Sequence, residues 1–308
     1  MSTLNEQISR TLREFIAQEK LPESFISLAQ EWYLPLAEQL ATQKSQVNRP
    51  LVLGVNGSQG SGKSTLSALL VSLLDEVHGL NTISLSIDDF YLTRDERLKL
   101  SKEVHPLLAT RGVPGTHDIG LMMSCIEKLC EGTGAVSVPR FNKAEDDRHK
   151  ESAWSKIFAP VDVLILEGWC LGVPAQKPSS LEVATNSLEE KEDPNSIWRK
   201  YVNQCLENEY QTLHQRIDIW IMLKAPSFEH VYAWRLEQEE KLKARLERDG
   251  KTAQHTMTPE QIERFIQHYQ RLTEQALNEL PGLVHYLFTL DASRQVTEFK
   301  RPNEVCVT

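Results

Sequence analysis

The stretch Leu51-Val52-Leu53-Gly54-Val55-Asn56-Gly57-Ser58-Gln59-Gly60-Ser61-Gly62-Lys63-Ser64-Thr65 decides the fold. It opens as a continuously apolar run, the mark of a strand buried on both faces. From Gly57 to Ser64 it fits G-x-x-x-x-G-K-[ST]. Behind it Leu66, Leu69, Leu70, Leu73, Leu74 and Val77 recur at helical spacing. A strand, a glycine-rich turn and a helix in that order let backbone N–H groups converge on phosphate oxygens, while the new helix aims its positive end at the same point. The contacts for a triphosphate, ATP, are therefore Gly57, Ser58, Gln59, Gly60, Ser61, Gly62, Lys63, Ser64 and Thr65. Lys63 is expected to reach the β- and γ-phosphates and Ser64 to ligate Mg²⁺.

Outward from this loop, short apolar runs alternate with helical patterns. Besides Leu51 to Val55, the strand candidates are Thr82 to Ile87, Ala135 to Val138, Val161 to Leu166, Ile217 to Leu223 and Val284 to Leu290. Such alternation implies an α/β fold, a P-loop NTPase three-layer sandwich around a mainly parallel central sheet. Residues 1–48 read as an N-terminal helical extension, with Pro22 separating two helices and Pro35 kinking or ending the second. Residues 49–293 form the catalytic domain, and within them 171–197 is an exposed loop insertion and 234–258 a helical lid region. Thr258-Pro259-Glu260-Gln261 carries a capping box, and the helix after it presents Ile262, Phe265, Ile266, Tyr269 and Leu272 as a buried stripe. Residues 294–308 are expected to be a weakly ordered C-terminal tail.

The whole chain excludes several functions. Its 308 residues are 40% hydrophobic and 25% charged, ordinary for a globular protein. No apolar run approaches the ~18 residues of a membrane span. The opening Met1-Ser2-Thr3-Leu4-Asn5-Glu6 has no positive region followed by an apolar stretch, so a cytoplasmic address is expected. Five cysteines without a C-x-x-C pair argue against a disulfide framework or thiolate zinc. A net charge of −9 speaks against a sequence-independent grip on nucleic acid. A monomer acting on a small molecule, with no membrane or nucleic-acid partner, is the expectation.

Chemistry must come from the ends of neighbouring strands, because in an open parallel sheet these face the ligand crevice. Asp88-Asp89-Phe90-Tyr91 ends the second strand. Asp88 is placed to accept a proton from a hydroxyl nucleophile, with Asp89 as competitor. Glu167 ends the apolar run Val161 to Leu166 and reads as the Walker-B acid, acting on Mg²⁺ directly or through water. Positive groups for an anionic acceptor are Arg111 and His117 in a turn-rich stretch, Arg140 and Lys143 after the third strand, and Arg148. Arg235, on a charged helix, is a lid residue suited to the transferring γ-phosphoryl group.

Assembled, these residues resemble the D-glycerate 3-kinase family of P-loop kinases, relatives of uridine kinase, phosphoribulokinase and bacterial pantothenate kinase. The resemblance is carried by Gly57 to Thr65, Ser86-Ile87-Asp88-Asp89-Phe90-Tyr91-Leu92-Thr93, Arg111 to Asp118, Pro139 to Lys143, Ile165-Leu166-Glu167-Gly168-Trp169 and Trp234 to Glu239. It implies phosphoryl transfer from ATP to a primary hydroxyl, with Asp88 at the position of the catalytic base. For glycerate the 3-hydroxyl would lie near Asp88 and the carboxylate would meet one or more of Arg111, Arg140 and Arg148, with Tyr91 and His117 as further substrate-binding candidates. Other acceptors, a nucleoside or a pantothenate-like alcohol, and a non-catalytic ATP-binding regulator are the alternatives. A GTPase switch is a poorer match. Asn142-Lys143-Ala144-Glu145 carries Glu where N-K-x-D needs Asp, and no D-x-x-G lies between Lys63 and Asn142.

Overall fold

The structure, a computed structural model, describes residues 2–248 and 257–301. The chain opens with α1 (Ser2–Glu19), α2 (Ser24–Leu28), a π-helical turn and α3 (Leu34–Ser45). Pro35 does not break the second run. It stands at the first turn of α3, where a missing N–H costs little, and the π turn Ala29–Tyr33 absorbs the change of register before it. Then come β1 (Leu51–Gly57), α4 (Lys63–Glu76), β2 (Thr82–Ser86), α5 (Arg94–Glu103) and α6 (Ile119–Glu131). Next are β3 (Gly134–Val138), β4 (Phe141–Asn142), β5 (Asp147–Arg148), β6 (Ser155–Ala159) and β7 (Val163–Gly168). The chain continues through α7 (Ser187–Glu192), α8 (Ile197–Cys205), α9 (Gln211–His214), β8 (Ile219–Lys224) and α10 (Phe228–Arg248). It closes with α11 (Pro259–Glu279), β9 (Tyr286–Leu290) and β10 (Val296–Lys300).

Six strands form the central sheet in the order β10-β9-β8-β1-β7-β2. All pair in parallel except β10, which runs antiparallel to β9 at the edge. Every residue of β1 and β7 is buried, as their unbroken apolar runs require of central strands flanked by helices. The expected three-layer α/β sandwich with its mainly parallel sheet is thus the observed fold. Register sets the site. Val55 lies opposite Glu167 and Ser86 lies opposite Glu167 on the other side, so the phosphate loop, Glu167 and Asp88 leave the sheet at one end.

The N-terminal helices share the core of the rest of the chain. Thr11 donates to the Glu76 carboxylate at 2.8 Å, tying α1 to α4, and the Tyr33 ring meets Phe288 of β9 edge-on at 5.5 Å.

Three expectations need correction. Ala135 to Val138 is a strand but not of the central sheet. β3 pairs antiparallel with β6 in a separate two-stranded ribbon, where Phe158 is exposed. The segment 171–197 is not an exposed loop: Leu171, Val173, Leu181, Leu188, Glu189 and Asp193 are buried, and it contains α7. Arg271 of α11 fixes it by pairing with Glu189 and donating to the Ser180 and Val183 carbonyls. The tail expected from residue 294 instead begins with a sheet strand, because Phe299 can join Phe288 at 4.8 Å and cover the open edge of β9. Of the lid region 234–258, residues 249–256 lie outside the described residues; the part before them is the continuous helix α10.

Candidate active site

A cleft of about 310 Å³ opens at the carboxyl end of the central strands, lined by residues that include Gln59, Lys63, Ser64, Asp88, Glu167 and Arg235. On its phosphate side the loop after β1 turns through Gly60 and Gly62, whose φ values of 80° and 90° are left-handed and suit glycine alone among common residues. α4 starts at Lys63, so its unpaired N–H groups face the cleft. Gln59, Gly60, Lys63 and Ser64 line the cleft, while Gly57 at the end of β1, Ser58, Ser61 and Gly62 of the loop and Thr65 of α4 lie outside that wall.

Glu167 is held 6% exposed beneath this loop by the buried run of β7. Its Oε1 accepts the Ser64 hydroxyl at 3.0 Å, and its Oε2 lies 3.8 Å from Lys63 Nζ with no hydrogen-bond partner. A buried carboxylate oxygen without a partner, next to a hydroxyl and at the mouth of a phosphate loop, fits the oxygen donor set of Mg²⁺. The donors that would hold it are Ser64 and Glu167.

Opposite, Asp88 and Asp89 part company. Ser86 caps the short 3₁₀ turn that carries them by accepting from the Asp88 N–H at 3.3 Å. Asp89 turns away: its carboxylate accepts from Arg140 at 2.7 Å and from the Phe141 N–H at 3.1 Å. Asp88 faces the cleft, its Oδ1 accepting from Tyr91 Oη and its Oδ2 from Lys143 Nζ, both at 2.8 Å. Burial alone would raise its pKa. The charges of Lys143 and Lys63 and the hydrogen bonds from Lys143 and Tyr91 outweigh it and hold the carboxyl well below the usual range. Asp88 is therefore an anion at neutral pH.

Lys143 comes from the tight hairpin β4–β5, where Asn142 Oδ1 accepts from the N–H groups of Ala144 and Glu145. That Asn side chain closes a turn. Asp146 in the same hairpin pairs with Arg97 and with Arg111. Arg111 lines the cleft with its guanidinium 5.3 Å above the Phe141 ring. Arg235 also lines the cleft, paired with Glu239 at 2.7 Å and 5.7 Å above the Phe265 ring.

Three expected acceptor-binding residues lie outside the cleft wall. His117 is buried behind Tyr91, stacked on its ring at 4.5 Å with Nδ1 2.5 Å from Tyr210 Oη. Burial lowers its pKa to about 4, so it is neutral and no partner for an anion at physiological pH. Arg148 donates to the Tyr91 carbonyl and to Asp118, and Arg140 to Asp89 and Ser155. Both brace the acidic strand end. Ser86, Gln238, Phe265 and Tyr269 line the cleft with no sequence signal that places them there, and Trp169 lines it as well. The helical stripe around Tyr269 signalled burial but gave no direction. Trp169 donates to the Gly112 carbonyl at 3.0 Å and Tyr269 to the Arg111 carbonyl at 3.1 Å, fixing the wall behind Arg111.

Comparison with known proteins gives this geometry a lineage. The Phosphoribulokinase / Uridine kinase family profile matches residues 52–175, the span from β1 past Glu167. The uncharacterized kinase mug58 of Schizosaccharomyces pombe is 34% identical over 259 residues, covering 82% of this chain and 86% of its own. The chain belongs to the phosphoribulokinase/uridine kinase family. Family membership makes it a P-loop kinase and implies ATP as phosphoryl donor. Within the family, the chloroplastic D-glycerate 3-kinase of Arabidopsis thaliana is 31% identical over 252 residues, covering 79% of this chain and 49% of its own length. The solved D-glycerate 3-kinase of Cryptococcus neoformans var. grubii superposes with a TM-score of 0.69 at 28% identity, covering 86% of this chain and 99% of that one. No helix among the described residues is long and apolar enough to cross a membrane.

Proposed function

We propose that the protein transfers the γ-phosphoryl group of ATP to the primary hydroxyl of a small anionic acceptor, D-glycerate, with Asp88 as proton acceptor. The observation that carries this reading is Asp88 itself, an anion facing the same cleft as Lys63, Ser64 and Glu167 while Asp89 is engaged elsewhere. In the transfer the acceptor oxygen forms its bond to the γ-phosphorus as the bridge to the β-phosphate breaks and ADP leaves. The acceptor's hydroxyl proton passes to Asp88. A strongly acidic carboxyl is a weak base, which suits a loose transition state in which the hydroxyl proton leaves late. Lys63 neutralises the β- and γ-phosphates, and Arg235 meets charge on the transferring group. Mg²⁺ bound by Ser64 and Glu167 would screen the phosphate oxygens.

The acceptor's anionic end has Arg111 and Lys143 available at the cleft wall. Both are drawn toward carboxylates of the protein and can share or exchange them with a ligand. A nucleoside acceptor would need a free aromatic face, but Trp169 and Tyr269 are buried and packed edge-on at 4.7 Å, Tyr91 is stacked on His117 and Phe265 lies under Arg235, which favours the anionic alcohol. The similarity to D-glycerate 3-kinases supports glycerate among such alcohols. The test is product identification after incubation with Mg²⁺, ATP and either D-glycerate, uridine or pantothenate. Phosphate on the 3-hydroxyl of glycerate is the expected result, and phosphorylation of uridine or pantothenate alone would replace the acceptor.

A further inference from the structure

The turn between β9 and β10 reaches the phosphate loop from the far edge of the sheet. Its backbone is fixed by Asp291, whose carboxylate accepts the N–H groups of Ser293 and Gln295 and whose carbonyl accepts that of Arg294. Arg294 sits in the left-handed region at φ 67°. That conformation is unfavourable for a residue with a Cβ, and the contacts of the Arg294 side chain offset it. Its Nε donates to the Gly60 carbonyl at 2.9 Å, its Nη2 pairs with Glu237 of α10, and its guanidinium lies 5.2 Å above the Trp234 ring. Trp234 donates back to the Ala292 carbonyl at 2.8 Å, and its Cβ would stand only 2.7 Å from any Cβ added at Gly60. Turn, phosphate loop and α10 meet at one guanidinium.

We propose that Arg294 is a positioning residue that fixes the crest of the phosphate loop against α10 and thereby sets the affinity of the loop for the nucleotide's phosphates. This rests on the reading of that loop as the ATP site and not on the identity of the acceptor. The argument is one of peptide geometry. In a trans peptide the carbonyl and the following N–H point to opposite sides. With the Gly60 oxygen tied to Arg294, the Ser61 N–H must face the other way, across the loop, where it meets the Ser58 carbonyl at a long 3.2 Å. The hydroxyls of Ser58 and Ser61, 7% and 4% exposed as residues, lack partners in the same turn. The direction of the Ser61 N–H is thereby set by the contact that Arg294 makes to Gly60. Arg294 contacts the loop on its carbonyl side, which a phosphate does not occupy, so it acts through Gly60 and through the Glu237 and Trp234 face of α10.

The experiment is calorimetric binding of ADP in the presence of Mg²⁺ to the full-length protein, with melting curves recorded without nucleotide. Arg294→Gly keeps the turn, since glycine favours its φ, and is expected to bind ADP about tenfold more weakly, the factor for one lost charged hydrogen bond, with a Tm close to the parent's. Arg294→Lys, which retains the charge but not the fork, is expected to recover part of that loss. In turnover, the ATP KM of Arg294→Gly should rise while kcat at saturating ATP holds. ADP affinity of Arg294→Gly within twofold of the parent overturns the proposal. So does weaker binding accompanied by a much lower Tm and no recovery by lysine, which would make Arg294 only a structural brace. ADP binding requires no acceptor, so a failed glycerate assay leaves this result untouched.

Discussion

The two walls of the cleft are built in opposite ways. The phosphate wall is local: one strand, one loop and the first turn of one helix supply Gln59, Gly60, Lys63 and Ser64 within a single run of chain, with Glu167 added by the neighbouring buried strand. The opposite wall, proposed above to hold the acceptor and called the acceptor wall below, is assembled from distant pieces. Asp88 follows β2, Arg111 lies in a loop before α6, Lys143 tops the β4–β5 hairpin and Tyr269 comes from α11. Backbone geometry dictates the first wall, and side chains held by other side chains dictate the second. The phosphate wall should therefore fail as a unit, whereas the acceptor wall should lose separable functions.

The sharpest way to break that comparison is Asp88→Asn. It removes the proposed proton acceptor while leaving the phosphate loop intact, so turnover should fall ~10²–10⁴-fold with the ATP dissociation constant nearly unchanged. Steady-state kinetics beside nucleotide binding would read it, and near-parental turnover would move the base elsewhere. Next comes Lys63→Ala, which strikes the local wall. Loss of a preorganised charge should cost about 10²–10³-fold in kcat and weaken ATP binding in the same protein. An unchanged ATP affinity would contradict the assigned contact.

The smallest expected effect, about tenfold in kcat/KM for the acceptor, belongs to Lys143→Ala. Its distinctive mark is the pH profile. Lys143 and Lys63 hold the Asp88 pKa down, so its ionised, proton-accepting form persists to low pH in the parent. Removing Lys143 raises that pKa, and activity should be lost at a higher pH on the acid side. An acid limb that stays in place would mean that Lys143 does not act on Asp88.

The same contrast explains what the sequence reveals. A local wall writes itself as a motif, and Glu167 is legible because a continuous buried strand delivers it. The arginines are not legible in this way. Sequence counts Arg140 and Arg148 as cations near the site but says nothing of direction, and both prove to hold the backbone and carboxylates around Tyr91 and Asp89. His117 fails for a related reason, since burial behind Tyr91 removes the charge that a sequence reading lends it. β4 and β5 are two residues each, too short for any periodicity, yet they carry Lys143 into position. The segment 171–197 reads as a loop because its prolines and charges are conspicuous, whereas its fixing depends on Arg271, which is far away in the chain.

That last pairing constrains how the enzyme can move. Glu189 is fully buried, and the Arg271 guanidinium that reaches it is also shared among carbonyls of the same segment. Swinging α11 away from this segment would part a fully buried carboxylate from its cation, which is unfavourable. α11, with Phe265 and Tyr269 on its cleft side, is therefore anchored to the segment 171–197. The cleft wall that carries Phe265 and Tyr269 is thus tied to the segment 171–197 and is expected to move, if at all, together with it.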